Sequence, residues 1–281
     1  MRFKSFDFRS RGLALKARKW WPATGYPRAV VVCVHSWGDH SGRFSDFAGY
    51  ITQFGYAVYA FDFEGHGESE GVRAHIHDFG DMVADLTMFI EVVHNELRSV
   101  PLFLSGYSVG GLVAATYLST HNNVDGAIFN SCALSEGRDV PALRRLIAWL
   151  VGGLLPRLPL AQLTFGPQMS RDPLEVRAWE EDTLIWHGKM TAGTGKQLML
   201  ATQAISKTLE RIDLPLLVLH GEADPLVDPV SGTALERLSP SIDKTLISYP
   251  GALHDLFHES NREQVFEDVR SWLEKRAAKT W

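Results

Sequence analysis

Six short runs of apolar, often β-branched residues recur along the chain: AVVVCV at 29–34, YAVYAF at 56–61, PLFLSG at 101–106, GAIFN at 126–130, LPLLVLH at 214–220 and KTLISY at 244–249. A strand with one wet face alternates apolar and polar positions. These runs do not, so both of their faces must be covered. Between them lie longer segments whose apolar residues fall three and four apart. From Asp81 the stripe is Met82, Leu86, Phe89, Ile90 and Val93, and near the C-terminus Val265, Val269, Trp272 and Leu273 repeat it. Amphipathic helices resting on a sheet have this pattern. The alternation of the two patterns predicts an α/β chain with a mostly parallel central sheet and helices on both faces. At the front, FKSFDF and GLALKARKWW, separated by RSRG, predict an antiparallel hairpin at a sheet edge.

The alternation fails between about Cys132 and Thr208. Pro141, Pro156, Pro159, Pro167 and Pro173 divide this stretch into short helices and loops, which would lie over the strand ends as a cap. The expected division is a core made of residues 1–132 and 206–281 with a cap insertion at 133–205. Within the insertion, LRRLIAWLVGGLLPRL combines Arg144, Arg145 and Arg157 with a dense apolar stretch around Trp149 and Leu150. That composition suits either a face resting in a membrane interface or the buried lining of an acyl tunnel.

Composition narrows the partners. The 281 residues are 45% hydrophobic and 22% charged, with a net charge of −5 and a pI near 6.1. There is ample material for a core, and the charge has the wrong sign for nucleic acid, which selects a basic face. Cys33 and Cys132 both lie in apolar runs and read as buried thiols rather than a disulfide, which suits a reducing compartment. The charged N-terminal stretch lacks the apolar segment of a signal peptide, and no apolar run reaches the roughly 18–20 residues of a membrane-spanning helix. The expectation is a cytoplasmic protein whose only membrane contact is peripheral.

The chain contains Gly-x-Ser-x-Gly twice, as GYSVG around Ser108 and as GESEG around Ser69. Context separates them. Ser108 follows a strand-like run and precedes VGGLVAATYLS, a helix-forming stretch. A sharp strand-to-helix turn there needs small residues at 106 and 110 and lifts the hydroxyl above the sheet with a helix N-terminus aimed at it. Ser69 follows the turn EGHG, lies between Glu68 and Glu70, whose charges oppose an oxyanion, and starts no helix. Ser108 is the expected nucleophile and Ser69 a loop residue.

A serine hydroxyl needs a base, and the base needs a carboxylate to hold its tautomer. On an α/β sheet the expected order is serine, acid, histidine, each past a strand's carboxyl end. Asp224 in LLVLHGEADPLVD is the candidate acid, with Asp228 and Glu222 as rivals. His254 in SYPGALHDLF is the candidate base, with His258 as its rival. The oxyanion of a tetrahedral intermediate needs two donors; the N–H groups of Val109 and of Trp37, in the loop VHSWGDHSGRF, are the candidates. His66 reads as a turn-bracing residue. His75 and His77 lack the spacing of a zinc motif, and neither a metal nor a cofactor is expected.

Five motifs in order, HSWGDHSGRF, FDFEGHGESEG, SGYSVGG, GEADPLVD and YPGALHDLFHE, resemble the monoacylglycerol lipase group of α/β-hydrolases across nearly all of residues 29–275. The resemblance implies the α/β-hydrolase fold and a serine esterase acting on glycerol monoesters, lysophospholipids and related esters. It carries nucleophile, acid and base onto Ser108, Asp224 and His254, and the oxyanion donors onto Trp37 and Val109. It also makes Asp39 and Arg43 head-group contacts and GHGESEG a structural turn below the site. One departure is local: where the family shows His-Gly-x-Gly, this chain has Ser36 and Trp37. The cap matches no motif of the group, and the cap chooses the substrate. The readings beside a lipase are a general or phenolic-ester carboxylesterase, an acyltransferase, and a non-catalytic small-molecule-binding protein. An elbow serine in place of aspartate argues against dehalogenases and epoxide hydrolases.

Overall fold

The computed structural model describes residues 1–134, 142–162 and 165–277, with the backbone alone at 142–145 and 161–162. In chain order the elements are β1 (Arg2–Ser10), β2 (Leu13–Trp21), β3 (Ala29–Val34), α1 (Ser45–Ile51), β4 (Tyr56–Phe61), α2 (Phe79–Glu96), β5 (Leu102–Tyr107), α3 (Val109–Leu118) and β6 (Gly126–Asn130). Then come α4 (Ala142–Leu154), β7 (Pro159–Gln162), α5 (Gly166–Met169), α6 (Pro173–Glu181), β8 (Lys189–Thr191), α7 (Ala192–Ile205), β9 (Leu216–Gly221), α8 (Val230–Leu238), β10 (Lys244–Tyr249) and α9 (Arg262–Ala277).

Eight strands form one sheet in the order β1-β2-β4-β3-β5-β6-β9-β10. From β4 to β10 every neighbouring pair is parallel, and the N-terminal hairpin adds the antiparallel strands at one edge. This is the α/β-hydrolase arrangement the motifs implied. The non-alternating runs have their explanation in the layers. On β3, Val30, Val32 and Val34 pack into the core under α2 and α3, while Ala29, Val31 and Cys33 pack into a second core under α1 and α9. Each β3 residue is buried on whichever side it points; the edge strand β10 departs from the expectation, with Leu246 and Ser248 exposed because no further strand among the described residues covers that edge.

The predicted helical stripes are the faces that are buried. Met82, Leu86, Phe89, Ile90 and Val93 of α2 and Val265, Val269, Trp272 and Leu273 of α9 all lie in the cores. Asp78 caps α2 by accepting from Gly80 N–H at 2.8 Å, a favourable end for the helix dipole as well.

Between the adjacent strands β6 and β9 the chain leaves the sheet and forms α4 to α7. Two of its strands, β7 and β8, pair antiparallel; at three and four residues each they carry too little periodicity to be read from sequence. The insertion is tied down at several places. Trp186 N–H donates to Gly38 O at 2.7 Å, His40 Nε2 meets Asp182 Oδ2 at 2.9 Å, and Asp255 N–H donates to Met169 O at 2.8 Å. Pro141 lies outside the described residues, as do the side chains of Arg144 and Arg145. Among the described residues no helix is long and apolar enough to cross a membrane.

Candidate active site

The chain runs from β3 to β4 on one side and from β5 to β6 on the other, so the loops after the adjacent strands β3 and β5 diverge. A crevice opens at such a switch point, beyond the carboxyl ends of the strands. Ser108 sits there, alone between the end of β5 and the start of α3, with φ 51° and ψ −116°. That backbone conformation costs a non-glycine residue roughly 1–3 kcal/mol and persists because the neighbours leave no alternative. Ser108 N–H donates to Asn130 O at 2.9 Å. The start of α3 presses so close to β3 that a Cβ on Gly110 would lie 2.2 Å from Val34 O, and one on Gly106 would lie 2.6 Å from Gly111 Cα. Gly111, not singled out from sequence, is equally constrained: its Cβ would fall 2.4 Å from Cys132 Sγ.

Three residues far apart in the chain meet in line at this point. Ser108 Oγ donates to His254 Nε2 at 3.0 Å, and His254 Nδ1–H donates to Asp224 Oδ2 at 2.7 Å. All three are buried. The other oxygen of Asp224 accepts from Leu226 N–H at 2.8 Å and Val227 N–H at 3.0 Å. Burial by itself raises the pKa of Asp224, but hydrogen bonds from His220, His254 and Val227 N–H outweigh it and hold the carboxyl below the usual carboxylate range. His220 was missed from sequence. It stands at the end of an apolar run and reads as a core residue, yet its Nε2 lies 3.3 Å from Asp224 Oδ2 and 3.1 Å from Val227 O.

The rivals are occupied elsewhere. His258 bridges the Asp255 carboxylate and the Arg43 carbonyl, at 2.8 and 3.0 Å. Asp228 Oδ1 accepts from Val230 N–H at the start of α8, and Glu222 is exposed. His75 Nδ1 contacts Thr191 Oγ1 at 2.9 Å, fastening the loop before α2 to the insertion. Among the described residues no group of three or more His, Cys, Asp or Glu is placed to hold a metal ion. His66 Nδ1 donates to Glu64 O at 2.8 Å, within the turn that contains Ser69.

A cavity of about 380 Å³ opens over Ser108, within the size range of small-molecule sites. Its floor is Ser36, Trp37, Ser108, Val109 and His254, and the insertion roofs it with Phe165, Met169, Trp179, Ile185, Trp186 and Met190. The described side chains of α4 take no part in the lining. Leu146, Ile147, Trp149, Leu150 and Leu154 are exposed, so the acyl-tunnel reading of this helix is not met.

Trp37 N–H makes no hydrogen bond among the described residues, and Val109 N–H is directed at Ser36 Oγ, 3.4 Å away. The Trp37 indole is anchored by its Nε1–H to Ala74 O at 2.8 Å. Of the loop residues only Gly38, with φ 77°, adopts a conformation that favours glycine; Ser36 and Trp37 have no positive φ. The substitution of the family's glycine by Ser36 is therefore free of backbone strain.

The two residues of the expected head-group pair stay side by side, with Arg43 Nε 3.9 Å from Asp39 Oδ1 and both side chains buried. Asp39 lines the cavity, whereas Arg43 lies behind it, donating through Nη2 to Asp255 Oδ2 at 3.0 Å. Arg43 is drawn inward because Asp255 sits buried next to His254 and needs a cation. Burial raises the pKa of Asp39 above the ordinary value, and Arg43 and His40 offset only part of that rise.

Sheet order, elbow and crevice together define the class: this is an α/β-hydrolase. A family model described as Hydrolase_4, serine aminopeptidase, S33, matches residues 25–261, and the chain belongs to that family. It is 33% identical to the monoacylglycerol lipase of Mycolicibacterium smegmatis over 90% of both chains. It is 34% identical to the monoglyceride lipase of Rattus norvegicus, covering 92% of this chain and 87% of the relative. Among solved structures it is similar to the monoacylglycerol lipase of Paleococcus ferrophilus, with a TM-score of 0.82 and 29% identity over 93% of this chain and 99% of the other.

Proposed function

We propose that the protein hydrolyses carboxylic esters, monoacylglycerol foremost, through an acyl-enzyme formed on Ser108. The observation that carries this reading is the Ser108–His254–Asp224 chain of hydrogen bonds at the floor of a largely apolar cavity. His254 Nε2 takes the Ser108 proton as Oγ attacks the ester carbonyl. Asp224 fixes the tautomer and stabilises the imidazolium. The N–H groups of Trp37 and Val109 receive the oxyanion, His254 returns its proton to the departing glycerol oxygen, and water activated by the same nitrogen releases the fatty acid.

In this reading residues 133–205 are the cap of a core made of 1–132 and 206–281. Phe165, Trp179, Trp186 and Met190 give an acyl chain an apolar path, and Asp39 receives a glycerol hydroxyl with Arg43 steadying it from behind. The apolar lining and the lipase relatives support an ester over the peptide named in the family description. The exposed apolar face of α4 rests on the membrane surface that holds the substrate. The buried free thiols Cys33 and Cys132 fit a cytoplasmic location.

A panel of monoacylglycerols, p-nitrophenyl esters and an aminoacyl amide tests the assignment. Monoacylglycerol is expected to be turned over fastest, with a fluorophosphonate probe labelling Ser108. Turnover of the amide alone would sink the reading.

A further inference from the structure

The loop that faces Ser108 carries a hydroxyl that backbone-only donation to the oxyanion does not use. Ser36 Oγ lines the cavity and lies 3.4 Å from Val109 N, the amide expected to receive the oxyanion. Its oxygen accepts from that N–H, while its own hydrogen has no acceptor among the described residues. The residue is held from both sides: its carbonyl accepts from Asp39 N–H at 3.3 Å and from His35 Nδ1–H at 2.7 Å. The loop itself is pinned to the insertion through Gly38 O and Trp186 N–H at 2.7 Å.

We propose that Ser36 is a catalytic residue, a third oxyanion donor acting through its side-chain hydroxyl. The inference rests on the acyl-enzyme reading above. In the free protein the hydroxyl oxygen occupies the place beside Val109 N–H where the substrate oxygen must come. When a carbonyl arrives there, the side chain swings aside about χ1 and the hydroxyl turns about Cβ–Oγ until its O–H points at the carbonyl oxygen, while the Val109 N–H transfers from the serine to the substrate. The rotor's hydrogen breaks no existing bond in doing so. As negative charge builds on the carbonyl oxygen, a neutral hydrogen bond becomes a charge-assisted one, so the gain falls in the transition state and not in the ground state. No proton is transferred: Ser36 donates a hydrogen bond throughout, and the Ser108 proton goes to His254.

Ser36→Ala and Ser36→Gly test this, since neither adds bulk and the glycine is the residue the family motif has at this place. For hydrolysis of a p-nitrophenyl ester, kcat is expected to fall about 10- to 100-fold in both, with KM changed by less than about threefold. A trifluoromethyl ketone, which forms a tetrahedral adduct bearing an oxyanion, should bind more weakly by a similar factor. Melting temperatures close to the unsubstituted protein would show that the fold is intact. If kcat and ketone affinity are unchanged or rise in both variants, the hydroxyl merely occupies the hole and the inference is overturned. If the unsubstituted protein turns over no ester and is not labelled by fluorophosphonate at Ser108, the acyl-enzyme reading falls and takes this one with it.

Discussion

Two loops of this molecule carry the same five-residue pattern and put it to opposite uses. Around Ser108 the serine holds a strained backbone and directs its hydroxyl into a cavity, toward His254. Around Ser69 the hydroxyl is consumed in fastening the turn to the sheet, donating to Asp62 O at 2.5 Å and accepting from Lys16 N–H of β2 at 2.9 Å. Glycine does not distinguish the two loops. A Cβ on Gly67 would lie 2.1 Å from the side-chain Oδ2 of Asp62 and one on Gly110 2.2 Å from the backbone oxygen of Val34, so both turns are crowded. What differs is the hydrogen-bond inventory: a hydroxyl already bonded as donor and acceptor to backbone staples a loop, whereas one whose only partner among the described residues is an imidazole is free for chemistry.

The largest effect expected from breaking this contrast is at Ser108, the proposed nucleophile. Ser108→Ala should lower ester turnover by about 10⁴-fold or more and abolish fluorophosphonate labelling, with little change in melting temperature. Ser69→Ala should leave kcat within about twofold. Next comes the elbow's close packing. Gly110→Ala forces a methyl into the carbonyls of Val34 and His35 and is expected to cost about 4 kcal/mol or more, read from the urea midpoint, with loss of turnover following the loss of structure.

Acid should strain the turn before the elbow. Burial lowers the His66 pKa to about 4, below the roughly 6.5 of an unfolded chain. The unfolded state therefore binds more protons between these values. This contribution to stability is fully present above about pH 6.5, is lost as pH falls to about 4, and amounts to about 3 kcal/mol at most. His35, which burial lowers to about 3, acts in the same sense. A His66→Gln variant should show a flatter dependence of urea midpoint on pH between 6.5 and 4 than the unsubstituted protein. A midpoint that does not change with pH would remove the neutral buried imidazole from the account. Smaller again is the stability cost of Ser69→Ala, about 1–2 kcal/mol for the Lys16 N–H left without its acceptor, a modest drop in melting temperature with kinetics intact. Replacement of Trp149 and Leu150 by Ser should weaken binding to phosphatidylcholine vesicles in flotation, with hydrolysis of short soluble esters retained.

Periodicity made the core legible, because burial on both faces removes alternation and burial on one face of a helix imposes it. All six strands read from apolar runs are found in the sheet within two residues, and the stripes of α2 and α9 are the buried ones. The insertion was legible only as an interruption. Strands as short as β7 and β8 have no period to read, and an apolar helix such as α4 carries the same composition whether it lines a tunnel or faces outward. Only the family resemblance set Asp39 and Arg43 at a head group. Asp255, from a loop more than 200 residues away, decided that Arg43 turns inward.

The order of strand, serine, helix, then acid and base past later strands is local chemistry in sequence, and it was enough to propose Ser108 over Ser69 and to nominate Asp224 and His254, the residues the fold brings within hydrogen-bond reach. Distances of 2.7 and 3.0 Å between them are not local. They exist because β5, β9 and β10 lie on the same side of a parallel sheet and end at one edge. The same folding brings Ser36 Oγ to Val109 N–H, 73 residues on, while His220 reaches Asp224 across only four residues where the chain turns after β9. The first contact joins residues whose neighbours in the chain give no sign of it. A side chain's type is written in the sequence; its unsatisfied hydrogen bonds, from which its function follows, are settled only when distant segments close around it.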